Sequence, residues 1–256
     1  MSNVIKLAII AALEREVAPI VRGWEQKFID IYGYRKRCWS SGTSVVVCAG
    51  VGQQRAHECT QVVIETFAPE VITSIGFAGA TVPDLTAGDV LVPAKVVSSR
   101  TGAEFQSWFG AGVLVTADAI AGRELKAELR RVYRAEAVDM EAATVAEVCA
   151  ASGKKFLAIK AISDGWKDEM EFLAPYVRPE GFRTAAFLGH IAVRPALWGS
   201  VRKLKDQSQL ASDGLCKTVG LLIRDVAEFE RQFSARRPMA VAGIAGERAP
   251  AAKGNQ

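Results

Sequence analysis

VITSIGFAGA, residues 71–80, opens as a run of β-branched side chains and then turns to glycine. Val71–Ile75 reads as a strand, and Gly76-Phe77-Ala78-Gly79-Ala80 reads as the break that ends it. Glycines at a strand end let a ligand approach the backbone. The same alternation extends outward in both directions. Upstream, Val4–Ile10 is strand-like, and Glu14–Trp24 places Val17, Ile20, Val21 and Trp24 at helical spacing. Ser44–Val51 is a second apolar run ending at Gly52, and the helical pattern Arg55–Phe67 follows until Pro69. Downstream, Val90–Val92, Val113–Val115 and Phe156–Ile162 read as strands, with Glu124–Tyr133 and Ala142–Ala151 as helices. Strand and helix in alternation predict an α/β layered fold, with ligands bound beyond the strand ends.

Composition narrows the chemistry. A chain of 256 residues, half of them apolar, can bury a full core as one large domain plus a tail. Its apolar runs, such as Val45–Val51 and Val71–Ala80, fall far short of the roughly 20 residues that span a bilayer. The N-terminus lacks a signal-type pattern, so the expected location is the cytoplasm. Five cysteines (Cys38, Cys48, Cys59, Cys149, Cys216) without CxxC spacing read as reduced core thiols. With only His57 and His190, a His-based metal site or a Ser-His-Asp relay has little material. No metal or cofactor is expected, and the chemistry should rest on carboxylates. A net charge of +4 lacks the basic stripe of a nucleic-acid binder.

Four clusters carry candidate chemistry. RAEAVDMEAATVAEVC, residues 134–149, sets Asp139-Met140-Glu141 at a helix start, where a carboxylate can cap the helix or reach for a ligand. In AALEREVAPI, residues 11–20, Glu14 and Glu16 follow a strand, so at least one projects over the sheet end. In AIKAISDGW, residues 158–166, Asp164 ends another apolar strand. CAGVGQQRAHE, residues 48–58, has the spacing Gly50-x-Gly52-x-x-Arg55 between strand and helix. Arg55 stands where a dinucleotide-binding turn needs its third glycine, which weakens an NAD reading. An anion at that helix N-terminus, helped by Arg55, is the physical alternative to a plain structural turn.

Taken in order, AALEREV, SIGFAGA, GDVLVP, AVDMEAATVAEVC and AIKAISD resemble the nucleoside phosphorylase/hydrolase superfamily over about residues 4–170, and look most like 5′-methylthioadenosine/S-adenosylhomocysteine nucleosidases. The resemblance implies a three-layer α/β/α sandwich around a mixed β-sheet, assembled as a homo-oligomer. It gives Glu141 the ribose hydroxyls and sets Met140 against the sugar. Cleavage of a purine N-glycosidic bond makes the ribose resemble an oxocarbenium cation, which a nearby carboxylate stabilises. By the same resemblance Asp164 protonates purine N7, with Ser163 holding its carboxyl and burial keeping its proton. Glu16 activates the attacking water, Phe77-Ala78-Gly79 borders the nucleophile, and Asp118 falls in a stretch that lines the base pocket.

Several positions depart from the family pattern. Phe77 replaces a Ser or Thr whose hydroxyl could hold water or phosphate. Ile120 stands where an aromatic residue usually stacks on adenine, and Ser98–Gly112 is shorter than its counterpart. Asp139 replaces a Glu, a change expected to be tolerated because backbone contacts dominate there. For a phosphate, Arg15 and Arg55 are the nearby candidates.

Composition divides the chain at about residue 181: a catalytic domain over 1–180, a basic amphipathic helical extension over 181–233, and a tail over 234–256 with the Ala-, Gly-, Pro- and Arg-rich profile of disorder. The FRTAAF and RPALW stretches of the extension are similar to hopanoid-associated phosphorylases. Phe187, Leu188, Leu197 and Trp198 among Arg194, Arg202, Lys203 and Lys205 could rest residues 181–220 on an anionic membrane, or the extension could simply cover the core. The expected activity is hydrolytic release of adenine from a nucleoside modified at its 5′ end. The alternatives are phosphorolysis of a lipid-linked nucleoside such as adenosylhopane, and a nucleoside-binding protein that has lost turnover.

Overall fold

The computed structural model describes residues 5–178, 181–182 and 198–234. Its strands are β1 (Leu7–Ala11), β2 (Glu25–Ile31), β3 (Tyr34–Ser41), β4 (Ser44–Cys48), β5 (Val71–Ala80), β6 (Val90–Leu91), β7 (Lys95–Ser98), β8 (Glu104–Gln106), β9 (Val113–Thr116), β10 (Ala137–Asp139) and β11 (Lys155–Asp164). A separate two-stranded pair joins β12 (Val177–Arg178) and β13 (Gly181–Phe182). The helices are α1 (Glu14–Val17), α2 (Gln53–Phe67), α3 (Arg123–Tyr133), α4 (Ala142–Ala151), α5 (Trp198–Arg224) and α6 (Val226–Ser234).

Eleven strands form one mixed sheet, in the order β2-β3-β4-β1-β5-β10-β9-β7-β8, with β11 on the other side of β5 and β6 beyond it. β5 is the axis. It runs parallel to β1 and β11 and antiparallel to β10. Its residues are buried almost throughout, which is why it reads as a continuous β-branched run rather than an alternating one. The glycines do not break this strand as the sequence suggested. It passes through Gly76, which takes a φ of +149°, and continues to Ala80.

Helices cover both faces of the sheet. On one side Ala56, Cys59 and Val63 of α2 and Ala142, Val145 and Cys149 of α4 pack on β1, β4 and β5. On the other, Val17 joins Ala211, Leu215, Val219 and Leu222 of α5 and Phe229 of α6 against Leu157, Ile159 and Ala161 of β11. Two apolar faces, each with its own helical cover, make the three-layer sandwich. The apolar stripe of α5 is spent on the sheet. Of the basic residues in that extension, Lys203 is ion-paired with Asp168 at 2.6 Å and Lys205 turns toward a cavity. Among the described residues no helix is long and apolar enough to cross a membrane. The FRTAAF stretch after Phe182, all of RPALW before Trp198, and the tail from 235 lie outside the described residues.

The helix expected over Glu14–Trp24 is one turn long. Pro19 has no N–H to continue the ladder, and the chain leaves through turns to Gly23, whose φ is +80°. Two strands then appear that the pattern did not announce. β2 and β3 form a hairpin joined by Tyr32-Gly33, with φ of +48° and +85°, the two-residue turn whose twist suits paired strands.

Candidate active site

The carboxyl ends of β1, β10 and β11 meet over the middle of β5. The antiparallel register of β10 on β5, Ala137 against Ala80 and Val138 against Gly79, carries Asp139 and the turn after it to the Ala78 level. β11 brings Asp164 alongside Gly79 across a bulge. Around this junction lies a cavity of about 520 Å³. Glu16, Glu141 and Asp164 all line it, with Met140, Ser163, Phe77, Ala78, Gly79, Asp139, Ile120 and Arg15. Asp118 is not part of the lining; its carboxylate accepts a hydrogen bond from the side chain of Gln53. Ala119, Ile120 and Ala121 build one wall, and α5 supplies the roof with Leu204, Lys205, Ser208, Gln209 and Ser212.

The two carboxylates around Met140 have separate tasks. Asp139 is the cap: its Oδ2 accepts the Ala142 N–H at 2.9 Å, and its Oδ1 accepts the Thr116 hydroxyl at 2.6 Å. Lys160 Nζ also stands 2.9 Å from Oδ2. The expectation that backbone contacts dominate at Asp139 is corrected here, since its side chain is held by a hydroxyl, an amide and an ammonium and has little left for a ligand. Glu141 is the carboxylate that reaches across. It accepts the Gly52 N–H at 2.9 Å, so the glycine turn before α2 does bind an anion, and that anion belongs to the protein. With φ of +96°, position 52 favours glycine.

Arg55 is not at this site. Its guanidinium stacks 3.7 Å from the Tyr34 ring centroid and pairs with Glu58 at 3.1 Å, one turn along the helix face that points to the β2–β3 hairpin. As an anion ligand for the cavity it is therefore withdrawn. Arg15 does line the cavity, 5.7 Å from the Phe77 ring.

Glu16 folds back over its own turn, and its Oε2 accepts N–H bonds from Ala12 at 3.1 Å and Leu13 at 3.0 Å. Both oxygens lie 3.4 Å from where a Cβ on Gly76 would stand, an ordinary contact, so it is the φ of +149° that favours glycine beside this carboxyl. Burial raises the Glu16 pKa above the usual carboxylate value, against the opposing pull of the Leu13 amide, Lys160 and Arg15. The neighbouring Glu14 is exposed and paired with Arg37 at 2.9 Å, which accounts for it without chemistry.

Lys160 escaped sequence reasoning, although a lysine inside FLAIKAIS was a visible anomaly. It is 1% exposed, donates to Ser74 Oγ at 3.1 Å and pairs with Asp139. Burial would lower its pKa, but Asp139, Glu141 and Glu16 together raise it. Three carboxylates thus face one buried ammonium. Burial first, then Asp139, pushes the Glu141 pKa up to about 7.

A carboxyl whose pKa is higher folded than unfolded binds more protons in the native state, so stability falls as pH rises through the window between the two values. Between pH 4.5 and about 7 the Glu141 contribution should cost on the order of 3 kcal/mol. Thermal melting across that range should show a declining midpoint in the wild type and a flatter one in Glu141→Gln.

Asp164 is not held by burial alone. Its Oδ1 accepts the Ser163 hydroxyl at 2.8 Å, and its Oδ2 lies 2.5 Å from Nζ of Lys126, a residue of α3 only 1% exposed. Lys126 was invisible to pattern reading, because one lysine in an amphipathic helix looks like any solvated one. On the same cavity, Ile120 shares an apolar wall with Met170, Leu173 and Leu204. Met170 and Leu173, carried on the 3-10 turn Glu171–Tyr176 and the residue before it, had no signal in the sequence. Among the described residues no group of three or more His, Cys, Asp or Glu side chains is placed to hold a metal ion.

Comparison with known proteins agrees with this fold. A family model described as the phosphorylase superfamily matches residues 6–112 and 99–176 in two overlapping segments. Among curated proteins, the 5′-methylthioadenosine/S-adenosylhomocysteine nucleosidase of Geobacillus kaustophilus is 26% identical over 197 residues, covering 62% of this chain and 84% of its own length. The aminodeoxyfutalosine nucleosidase of Campylobacter jejuni is 24% identical, covering 65% and 89%. Among solved structures, the Neisseria meningitidis 5′-methylthioadenosine/S-adenosylhomocysteine nucleosidase in complex with methylthio-immucillin-A superposes with a TM-score of 0.65 at 20% identity, over 86% of this chain and 98% of that one. At that identity the match speaks to the fold, and it extends the likeness beyond the segments the family model covers.

Proposed function

The chain belongs to the phosphorylase superfamily, and from that premise we propose that it cleaves the N-glycosidic bond of an adenine nucleoside carrying a modified 5′ group, releasing the base by hydrolysis. The observation that carries this reading is the gathering of Glu16, Glu141 and Asp164, from three distant parts of the chain, on one cavity. Three carboxylates around the single Lys160 ammonium leave the cavity floor short of positive charge. A ribosyl cation developing at C1′ supplies it, so the site favours the transition state over the neutral substrate.

In this mechanism Glu141 accepts hydrogen bonds from the ribose hydroxyls, with Met140 against the sugar. Asp164, steadied by Ser163, passes a proton to N7 as the C1′–N9 electron pair moves into the purine. Glu16 takes a proton from the water that attacks C1′. Phe77, Ala78 and Gly79 line the water side, and Ile120 covers the base. Both curated relatives named above are nucleosidases, which supports hydrolysis. Phosphorolysis draws support from Arg15 and Lys205, two cations on the cavity lining. The family resemblance adds a homo-oligomer working in the cytoplasm, with membrane contact through 181–220 belonging to the lipid-substrate alternative.

Incubation with 5′-methylthioadenosine, with and without phosphate, separates these readings. Adenine and free sugar without phosphate are the expected products. Sugar 1-phosphate formed only with phosphate would establish phosphorolysis. No adenine under either condition, with adenine still protecting the protein from heat, would leave only binding.

A further inference from the structure

The cleavage proposed above needs a proton at N7, and Asp164 does not stand alone as its source. Lys126 Nζ meets three acceptors: Asp164 Oδ2 at 2.5 Å, the Gly165 carbonyl at 2.9 Å and the Asp168 carbonyl at 3.2 Å. That is a full set for the three N–H donors of an ammonium. Both side chains of the pair are buried, at 1% and 8% exposure, with Asp164 on the cavity side. The fold makes room for them deliberately at Gly79, where a Cβ would sit 2.7 Å from Asp164 Oδ2 and 3.0 Å from Lys126 Cε. The carbonyls that orient the ammonium belong to the turn Gly165–Asp168, closed by the Gly165 N–H donating to Asp168 Oδ2 at 2.8 Å. Lys203 and Gln207 of α5 grip the same Asp168 carboxylate at 2.6 and 3.2 Å.

The 2.5 Å contact sets one N–H of Lys126 directly on the Asp164 carboxyl. No other group stands between them, so a proton that leaves Asp164 can be replaced directly from Nζ. We propose that Lys126, acting through Asp164, supplies the proton that Asp164 delivers to the departing adenine. As the C1′–N9 bond breaks, N7 takes a proton from the Asp164 carboxyl and Asp164 takes one from Lys126 Nζ. The nitrogen is left as a neutral amine, hydrogen-bonded to a carboxylate. The attacking water gives its proton to Glu16; after product leaves, Glu16 releases that proton to solvent and Lys126 takes one up by way of Asp164. One water is consumed and no charge is left unaccounted for.

The proposal rests on the nucleosidase reading, and its test keeps the two apart. Lys126→Gln retains a donor to Asp164 and to the turn carbonyls but has no proton to give. Lys126→Arg keeps the charge and, with a side chain that stays protonated, is also no source. Each variant is checked by thermal melting and adenine binding, then assayed for adenine release from pH 5 to 10. Expected for both is a KM within about threefold of wild type, a kcat lowered about a hundredfold, and for Lys126→Gln an alkaline limb displaced to lower pH by about one unit or more. A lysine that merely braces the turn would lower kcat evenly at all pH values and be rescued by arginine; either result overturns the proposal. If wild type turns over and both variants match it, Lys126 has no part in the reaction and the nucleosidase reading stands. If wild type releases no adenine, that reading fails and takes this one with it.

Discussion

Glu16→Gln is expected to slow adenine release about a thousandfold, within the range that a positioned general base contributes, while adenine still raises the melting temperature. Glutamine keeps the length of the side chain and an oxygen for the Ala12 and Leu13 amides, so the turn after β1 should survive. What is lost is the ability to take a proton from water. Because burial raises the Glu16 pKa, the wild-type rate should climb with pH as that carboxyl ionises, and this acid limb should vanish from the variant. Glu14→Gln is the contrast. Its carboxylate is exposed and tied to Arg37, and its loss should change kcat by less than about threefold. A Glu16→Gln enzyme within tenfold of wild type would remove the water-activating role.

Lys160→Met should be strongly destabilising, at about 3–5 kcal/mol. Methionine fills similar space, so the loss is electrostatic. Asp139 would keep its Thr116 and Ala142 partners but face Glu141 and Glu16 with no counter-charge. Urea denaturation at pH 7.5 reads the effect directly. Below about pH 5 the gap to wild type should narrow as the carboxyls take up protons, the direction that raised carboxyl pKa values dictate. Adding Asp139→Asn should recover part of the loss, because the unpaired charge is then removed with its partner. A Lys160→Met protein as stable as wild type would show that the three carboxylates share protons freely enough to need no ammonium.

How much of this was legible in the sequence depended on whether a residue's signal is local. β1, α2, β5 and β11 are continuous apolar or periodic runs, and the chain displays them. β2 and β3 form a hairpin whose turn is Tyr32-Gly33, and they bury only Ile29 and Ile31 in one strand and Cys38 and Trp39 in the other, a weak pattern. The helix over 14–24 looked sound by periodicity and failed on one residue, Pro19. Glu16, Glu141 and Asp164 could be picked out because carboxylates at strand ends are conspicuous. Their partners could not. Lys126 meets Asp164 across 38 positions and Gly52 meets Glu141 across 89, pairings that exist only after the sheet is assembled. Arg55 erred for the same reason: its spacing fitted an anion site, and the Tyr34 ring that claims it lies in a strand the pattern concealed.

The helix α5 occupies two positions at once, as the cover of β11 and as the ceiling of the cavity. One face, Leu215 and Val219, is committed to holding the molecule together. The other presents Lys205, Ser208, Gln209 and Ser212 inward, far in sequence from every carboxylate that would break the bond. Cutting and choosing are thereby inherited separately. Drift along that inward face can exchange one nucleoside tail for another while the scissile chemistry below is left untouched, whereas deleting the helix would forfeit both together.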